Sequence, residues 1–402
     1  MRAIRARRAY DGESFLAAGA TVFVDDARIA GVEPYGCPLP EQCPVTDYDG
    51  TLLPGLIDAH THLVGDSGLG ALDRVAGYSA GEIDDVITRA LREQLLAGVT
   101  TVRDLGDRNF CVADRRDRQR AGAVTEPAIV AAGPPVTCPA GHCHYMGGEV
   151  TGTGEITRAI AERADRGVDV VKVMASGGVT TPGTEVMLTQ FSTADLTFIV
   201  DQAHAAGLAV TAHAHGTPAV EQAVAAGVDG IEHCSCLTDR GFGRVSDETV
   251  AALAASGIAV CPTLGLDTEL LKTPPVYLQA MLDRLGMTAQ QMLRQRSDFA
   301  GRLHRAGVRL VSGLDSGIAP TKRHGALGYS IAELVIAGLT VAEALATATS
   351  GAAEACGVGG RKGRLAPGHD ADLLVVDGDL EADITVLRRP AAVLLRGEPV
   401  SL

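Results

Sequence analysis

Histidine is scarce in this chain, and its positions give the first indication of chemistry. There are 11 histidines among 402 residues, and four of them, His60, His62, His213 and His233, stand at the ends of apolar segments. Residues two apart in an extended segment point to the same side, so His60 and His62 can bind one ion. Neutral imidazole suits zinc, and a carboxylate such as that of Asp315 can complete the coordination.

A lysine interrupts the apolar segment GVDVVKVMASGG, residues 167–178. Alternation along a strand puts Lys172 on the same face as Val168 and Val170, toward the interior of the fold. An ammonium group beside two dications is repelled, which lowers its pKa and favours the neutral amine. A neutral amine can add CO2 to form an anionic carbamate, whose two oxygens can bridge two metal ions. The alternatives are a Schiff-base lysine, as in barrel aldolases, and a lysine exposed to water.

These residues must be positioned by regular elements, and the chain repeats one pattern. From about residue 90 to residue 315, helix-like runs end in Ala-Gly or a similar pair, and short segments rich in Val, Ile and Leu follow. Such glycines fit helix C-termini, and such strands fit a parallel sheet covered on both faces. Eight strands are predicted, with ends near residues 60, 104, 132, 173, 213, 233, 262 and 314.

Eight strand–helix units predict an α/β fold, a (β/α)8 TIM-like barrel, with a doubly wound open sheet as the alternative. All six candidates then lie at the C-terminal ends of strands, the face at which barrel enzymes carry their active sites. A lone His-x-His pair is more often two hydrogen-bonded histidines at a strand end. The matching positions of the other candidates favour the metal site.

The two ends of the chain differ from its middle. Residues 1–52 and 364–402 contain short strands and turns, and we expect them to pair in one small β-sandwich domain. The barrel would then span residues 53–363. Residues 264–296 follow the seventh strand and are long enough for a lid, and they should set substrate specificity together with residues 134–150.

Composition excludes several classes of partner. The net charge of −14 argues against nucleic acid, which requires a basic surface. No window has the ~18 uninterrupted apolar residues of a membrane span. Nine irregularly spaced cysteines without a CxxC pair predict free thiols and a cytoplasmic location. The basic start MRAIRARR lacks the apolar region of a signal peptide and is interpreted as the first strand, with a transit peptide as the alternative.

One motif points to different chemistry. GYSAG at residues 77–81 matches the G-x-S-x-G turn of serine hydrolases, which requires a strand directly before the serine. The preceding segment GALDRVAG is not an apolar strand. Ser79 is therefore predicted to begin a helix, with Glu82 three residues later completing a capping box.

Five segments together resemble the amidohydrolase superfamily: PGLIDAHTHL, VKVMASGG, TAHAHG, GIEHC and SGLDSG. Within it, the chain is similar to the Xaa-Pro dipeptidase, or prolidase-like, branch, which includes carboxypeptidases that act on N-blocked amino acids. The resemblance extends to GHDADLLVVDGD near the C-terminus. It implies two divalent metal ions, with zinc as the expected metal. The more buried ion is held by His60, His62, carboxylated Lys172 and Asp315, and the second by Lys172, His213 and His233.

The resemblance also implies a function. The chain would be a binuclear, metal-dependent hydrolase that cleaves an amide or peptide bond of a small substrate, such as an Xaa-Pro dipeptide or an N-acyl amino acid. A hydroxide that bridges the metals attacks the carbonyl carbon. Asp315 takes the proton and passes it to the leaving amine. His142, in the segment CPAGHCHYMGGE, binds the substrate oxyanion and stabilises it, with an ordinary loop histidine as the alternative.

Two further histidines are assigned to substrate binding. His215 stands where members of the branch carry a Tyr or a His that contacts the substrate carboxylate, and the alternative is structural support of the barrel end. His324, or its neighbour Arg323, follows the eighth strand and could meet an anionic group, although a surface loop is the alternative. His144 adds the weaker possibility of an extra metal site.

Two other functions stay open. A cyclic-amide hydrolase or a deaminase of the imidazolonepropionase type belongs to the same superfamily, but such deaminases usually keep one metal and no bridging lysine, so Lys172 argues against them. A non-catalytic binding barrel is opposed by the intact set of ligands. The sequence does not name the substrate, and a homo-oligomer is expected because superfamily members are often multimeric.

Overall fold

A computed structural model of the chain describes residues 1–122 and 125–401. Residues 123, 124 and 402 fall within the predicted domains and lie outside the described residues. Within the described ranges the strands are β1 (Arg2–Ala9), β2 (Ala20–Asp25), β3 (Arg28–Glu33), β4 (Val45–Pro54), β5 (Leu56–Thr61), β6 (Val99–Asp104), β7 (Ala128–Ala131), β8 (Val170–Met174), β9 (Ala209–Gly216), β10 (Gly230–Leu237), β11 (Ala259–Cys261), β12 (Arg309–Leu310), β13 (Leu373–Val376), β14 (Pro390–Leu395) and β15 (Glu398–Pro399).

Helices alternate with the strands in the middle of the chain. They are α1 (Ala71–Arg74), α2 (Ala80–Leu96), α3 (Cys111–Ala121), α4 (Gly152–Asp165), α5 (Thr193–Ala205), α6 (Thr217–Ala226), α7 (Asp247–Ser256), α8 (Val276–Arg284), α9 (Ala289–Arg305), α10 (Leu327–Ile336), α11 (Val341–Ala346) and α12 (Ser350–Ala355). Short 3-10 helices cover Val75–Gly77, His144–Met146, Leu270–Lys272, Pro320–Lys322 and Ile384–Arg388.

The middle of the chain forms two parallel sheets, ordered β5-β6-β7 and β12-β11-β10-β9-β8. Isolated parallel bridges connect the sheets at Thr61–Ser316 and at Val136–Val173. The eight strands end at residues 61, 104, 131, 174, 216, 237, 261 and 310, close to the predicted ends. The predicted α/β class is therefore confirmed, and closure of the eight strands into a barrel stays a prediction.

The two ends of the chain meet in a further sheet of seven strands, ordered β15-β14-β13-β4-β1-β2-β3. Strand β4 links them, because it pairs parallel with β1 and antiparallel with β13. Among the described residues these terminal strands form one sheet, and the predicted sandwich stays a prediction.

Alternate side chains of the terminal sheet face two different cores. On β4, Leu52 packs in a small cluster within the terminal strands, whereas Leu53 packs in the large core of the chain. Leu373 and Leu374 on β13 divide in the same way. Successive side chains of a strand point to opposite faces, so one face of the sheet rests on the main core.

Local signals also determine where helices begin. The Glu82 amide donates to Ser79 Oγ at 3.3 Å, and the Ser79 amide donates to Glu82 Oε2 at 2.8 Å. The predicted capping box at the start of α2 is therefore confirmed. Within residues 1–122 and 125–401, no helix combines the length and the apolar composition that a membrane crossing requires.

The packing of β4 against the main core leads to a test by substitution. Leu53 is fully buried, and replacing it with alanine should lower the free energy of unfolding by about 2 to 5 kcal/mol, because the substitution removes buried apolar atoms and leaves a cavity in the core. Val45 lies on the same strand with 41% of its surface exposed, and its replacement with alanine should change stability by less than about 0.5 kcal/mol. Denaturant unfolding measures both variants. Equal losses would show that the face of β4 that carries Leu53 is not a core face.

Candidate functional site

The C-terminal ends of the parallel strands surround one cavity. Its empty volume is about 960 Å³, part of which is open to solvent. The cavity is lined by all six predicted metal ligands: His60, His62, Lys172, His213, His233 and Asp315. The structure thus brings together residues that lie up to 255 positions apart, 315 − 60, in the chain.

The first group of candidate ligands consists of His60 and His62 with Asp315. The Nε2 atoms of both histidines lie 3.3 Å from Asp315 Oδ1. The Asp315 amide also donates to the His60 carbonyl at 2.8 Å, which places the end of β5 next to the segment after β12. Three ligand atoms of this kind within 4.8 Å of one another are arranged as a small ion requires.

Hydrogen bonds in this group leave nitrogen lone pairs free for an ion. His62 Nδ1 lies 3.3 Å from the Gly106 carbonyl, which can only accept, so Nδ1 carries the proton and Nε2 keeps its lone pair. His60 Nε2 is buried and has no hydrogen-bond partner among the described residues. A buried polar atom without a partner is costly, and a metal ion at this position would satisfy it.

The second group consists of His213, His215 and His233, whose ligand atoms also lie within 4.8 Å of one another. His213 Nε2 lies 3.1 Å from the Gly177 carbonyl, which leaves the lone pair of Nδ1 free to bind an ion. His233 Nδ1 lies 2.9 Å from Thr263 Oγ1, which leaves the lone pair of Nε2 free in the same way. This group contains the two predicted histidines of the second ion, and it adds His215, predicted from the sequence to bind substrate.

His215 is held against its neighbours on both sides. Its ring stacks on that of His233 with centroids 4.3 Å apart, and its Nδ1 lies 2.9 Å from Ser235 Oγ. The stacked ring is positioned by β9 and β10, which pair in parallel. His215 therefore lines the cavity beside the second group, where both a substrate contact and a supporting role are sterically available.

Lys172 on β8 is buried in the cavity wall with 1% of its surface exposed. Burial is the largest cause that lowers the pKa of its ammonium group. Among the residues that the structure describes, no carboxylate forms an ion pair with it. Glu232 and Asp315 raise that pKa, but burial outweighs them, so the neutral amine, which can react with CO2, is favoured.

The protonation states of the cluster follow from burial. Burial lowers the pKa of His60 to about 4 and that of His215 to about 3, so both rings are neutral at pH 7. It also lowers the pKa values of His213 and His233. Burial alone would raise the pKa of Asp315, but its attraction to His60 and His62 holds that pKa below the usual range. A carboxylate among neutral imidazoles is the set of donors that binds zinc.

A buried ionic network lies beneath the first group, and the sequence reasoning missed it. Glu232 on β10 accepts hydrogen bonds from Arg103 Nη2 at 2.9 Å and from Thr211 Oγ1 at 2.6 Å, and its Oε2 lies 2.7 Å from His60 Nδ1. Burial would raise the pKa of Glu232, but Arg103 and His60 lower it. The carboxylate orients the His60 ring so that Nε2 faces the cavity.

Asp58 is a second buried acid that the sequence reasoning did not select. It accepts hydrogen bonds from the Leu314 amide at 3.0 Å and from Ser316 Oγ at 2.7 Å, on either side of Asp315. The close approach also requires Gly313, because a Cβ atom there would lie 2.6 Å from the His60 amide nitrogen. Asp58 therefore holds the two ligand-bearing segments together.

Strained backbone accompanies the site. The φ angles are +67° at His233, +44° at Thr263 and +66° at Asp315, in the left-handed region that non-glycine residues rarely adopt. Such conformations cost about 1–3 kcal/mol each and persist when surrounding contacts hold them. Here they aim two candidate ligands, and the threonine that bonds one of them, into the same cavity.

His142 lies where it can meet a substrate oxygen. It lines the cavity, and its Nδ1 lies 2.7 Å from Thr181 Oγ1. Thr181 Oγ1 also accepts from the Cys143 amide at 3.3 Å and can donate its own proton to His142 Nδ1, in the tautomer that carries Nε2–H as a donor. Gly178 makes room for the ring, since a Cβ atom there would lie 2.2 Å from it.

The remaining predicted residues lie elsewhere. His324 is buried, its Nε2 donates to the Gly65 carbonyl at 2.9 Å, and it is not among the residues that line the cavity. Arg323 is exposed, and His144 is partly buried; neither lines the cavity. Substrate contact by His324 therefore stays a prediction without a direct contact in support.

The segment 264–296, predicted as a lid, forms α8 and the first half of α9. Its apolar side chains pack with those of Leu237 and Phe242 in one cluster, which includes Leu266, Leu271, Leu278, Leu282 and Met292. Three of them, Leu266, Leu278 and Met292, also line the cavity. The segment thus supplies an apolar wall to the site.

The network beneath His60 leads to a test that requires no substrate. Replacing Glu232 with glutamine keeps the shape but leaves Arg103 without an anionic partner, which should lower the free energy of unfolding by about 3 to 5 kcal/mol. Denaturant unfolding measures the loss. The exposed Glu381 provides the control, because Glu381→Gln should be neutral within about 0.5 kcal/mol. An equal effect of the two substitutions would mean that the Arg103–Glu232 pair does not stabilise the site.

Comparison with known proteins places this geometry in a family. The model of the amidohydrolase family matches residues 51–400. Ochratoxinase of Aspergillus niger is 27% identical over 378 residues, which cover 85% of this chain and 73% of that protein. A crystal structure of a Xaa-Pro dipeptidase with bound methionine has a TM-score of 0.87 at 24% identity, with 100% of both chains covered. A crystal structure of a putative prolidase from Bifidobacterium longum has a TM-score of 0.80 at 29% identity, and the match covers 100% of this chain and 94% of the prolidase chain.

The family match spans most of the chain and includes every segment on which the resemblance was based. The predicted resemblance is therefore confirmed, and so is the predicted class of enzyme, a hydrolase that acts on amide bonds. Scaffold, buried histidines and family match agree: the chain belongs to the amidohydrolase family.

Proposed function

We propose that this protein is a binuclear, metal-dependent hydrolase that cleaves the amide bond of a small substrate, either a dipeptide such as Xaa-Pro or an N-acyl amino acid. The observation that carries the proposal is the pair of ligand groups in one cavity, with the buried Lys172 in the same wall. The amidohydrolase family and the similarity to a putative prolidase support the choice of an amide or dipeptide substrate.

The residues of the site fit two divalent ions. His60, His62 and Asp315 would hold the first and His213 with His233 the second, with carboxylated Lys172 shared between them. Neutral imidazoles with free lone pairs, one carboxylate and an anionic carbamate favour zinc over a harder cation. When bound, the ions supply a Lewis acid for the substrate carbonyl and lower the pKa of a water molecule.

The chain's own residues supply orientation and proton transfer. Asp315 accepts the proton of the attacking water at a carboxylate oxygen and returns it to the leaving amine. His142 donates from Nε2–H to the developing oxyanion, in the tautomer whose Nδ1 accepts from Thr181 Oγ1. His215 contacts the substrate carboxylate or amide oxygen from the side of the second group. His324 supports the site from outside the cavity through Gly65.

The proposal also covers the fold that carries the site. The parallel strands would close into a (β/α)8 barrel over residues 53–363, with the terminal segments 1–52 and 364–402 forming the small β-domain. The bridges at Thr61–Ser316 and Val136–Val173 support closure, because they lie between the two parallel sheets. A cytoplasmic location and a homo-oligomer remain predictions from the sequence.

Asp315 provides the first test of the mechanism. Asp315→Asn should lower kcat by about 10²- to 10⁴-fold, because the variant cannot carry the proton, while metal content stays near two ions per chain. Turnover of a dipeptide and N-acyl amino acid library and elemental analysis measure the two quantities. The exposed Asp298 supplies the control, and Asp298→Asn should keep full activity. A well-folded wild-type protein that binds no metal would contradict the proposal. An active Asp315→Asn variant would contradict the role of Asp315 as the proton carrier.

Lys172 provides the second test. Lys172→Ala should lose bound metal, and short carboxylic acids such as acetate or propionate should restore part of the metal content and activity, because they replace the carbamate. Lys272→Ala is the control, since that side chain is 71% exposed. Isotope-labelled bicarbonate should give a carbamate signal in the wild-type protein by NMR. A Lys172→Ala variant that keeps both ions without added acid would contradict the bridging role.

A further inference from the structure

The cavity carries an unusual distribution of charge for a chain of net charge −14. Its lining contains three basic residues, Lys172, Arg296 and Lys322, and one acidic residue, Asp315. Lys172 adds no positive charge, because it is neutral as an amine and anionic as a carbamate. Apolar side chains make up most of the remaining wall, together with Thr180, Ser235 and Thr321. The cationic Arg296 and Lys322 attract an anionic group of a ligand and repel a cationic one.

Two of the three basic groups have other partners or roles. Lys172 belongs to the proposed metal site. Lys322 Nζ donates to the carbonyls of Thr263 and Leu314 at 2.9 and 2.6 Å, so it ties the segment after β11 to the segment after β12. One N–H donor of the Lys322 ammonium group remains without an acceptor among the described residues. This lysine therefore serves mainly to position the segments beside Asp315.

Arg296 differs in the number of donors that it leaves free. It reaches the cavity from α9, and its Nη2 donates to the carbonyls of Pro262 and Thr263 at 3.1 and 2.7 Å. A guanidinium group has five N–H donors, and among the described residues Nε and Nη1 have no acceptor. No carboxylate of the described residues pairs with it. The nearby Glu333 instead accepts from the Gly265 amide at 2.7 Å.

We propose that Arg296 binds the substrate carboxylate, which leaves the amide oxygen to His215, so that the enzyme selects amides with a free carboxylate next to a large apolar group. This inference rests on the proposed amide hydrolysis. The guanidinium group lines the cavity and is held by two carbonyls through Nη2. Its Nη1 and Nε N–H groups remain free, and each can donate a charge-assisted hydrogen bond to a carboxylate oxygen.

The apolar part of the substrate follows from the neighbours of Arg296. Leu278 and Met281 from α8 and Met292 from α9 line the same cavity, as does Phe242. Burying a large side chain against them is favourable by the hydrophobic effect, and methionines adapt to different shapes. Substrates that release leucine, methionine or phenylalanine should therefore be preferred over those that release glycine or a cationic amino acid.

The test compares matched acids and amides in the metal-loaded enzyme. N-acetyl-L-phenylalanine and its C-terminal carboxamide differ only in the charged group. The wild-type kcat/KM should be about 10- to 100-fold higher for the acid, which is the size expected for charge-assisted hydrogen bonds. Arg296→Met should abolish that preference, mainly through KM, and Arg296→Lys should restore part of it. Arg294→Met, an exposed change two residues away on α9, should leave both values unchanged.

A binding measurement separates this inference from the proposed function. Calorimetric titration with N-acetyl-D-phenylalanine measures binding without turnover. Arg296→Met should weaken the binding of this ligand at least tenfold, while the metal content stays the same. If no amide is hydrolysed but binding depends on Arg296, the hydrolase proposal fails and the carboxylate site stands. Equal wild-type kcat/KM for acid and amide, or equal loss of both in Arg296→Met, would overturn the assignment of Arg296.

Discussion

The buried contact between Arg103 and Glu232 is the interaction on which the rest of the site depends. Arg103 lies on β6 in one parallel sheet and Glu232 on β10 in the other, and the pair is 4% and 0% exposed. Arg103 Nε also donates to the Ala59 carbonyl at 2.7 Å, beside His60. Charges that are taken out of water need close partners, so this pair fixes the distance between the sheets at the level of the ligands.

The polar interior divides into two layers with different tasks. In the layer beneath the ligands, Arg103 pairs with Glu232, and Asp58 accepts from Gln94, Ser316 and the Leu314 amide, so this layer has little freedom to move. In the layer that faces the cavity, burial lowers the pKa values of His60, His213 and His233, and His60 Nε2 lacks a hydrogen-bond partner among the described residues. A rigid, satisfied lower layer that orients an unsatisfied upper layer is the arrangement that a metal-binding hydrolase requires.

Much of the site was accessible from the sequence because the chemistry sits at strand ends that a repeated pattern marks. The ligand candidates were found by histidine scarcity and by the charge of Lys172 in an apolar strand. The same argument applied to Asp58, Arg103 and Glu232, each a charged residue in an apolar strand, would have identified the lower layer. His324 shows where sequence reasoning fails. Its position in a loop suggested that the side chain is exposed to solvent, whereas the ring is buried and donates a hydrogen bond to the Gly65 carbonyl.

The sequence by itself determined the order of strands and helices, the types of side chain at each strand end and the family, because local patterns and motifs encode them. Only the tertiary structure decided that β9 and β10 stack His215 on His233, and that α9 brings Arg296 into the cavity. These contacts join segments far apart in the chain, and their geometry depends on strand pairing and core packing. No local propensity specifies which side chains meet across such distances, because that is settled only when the sheets and helices bury their apolar faces together.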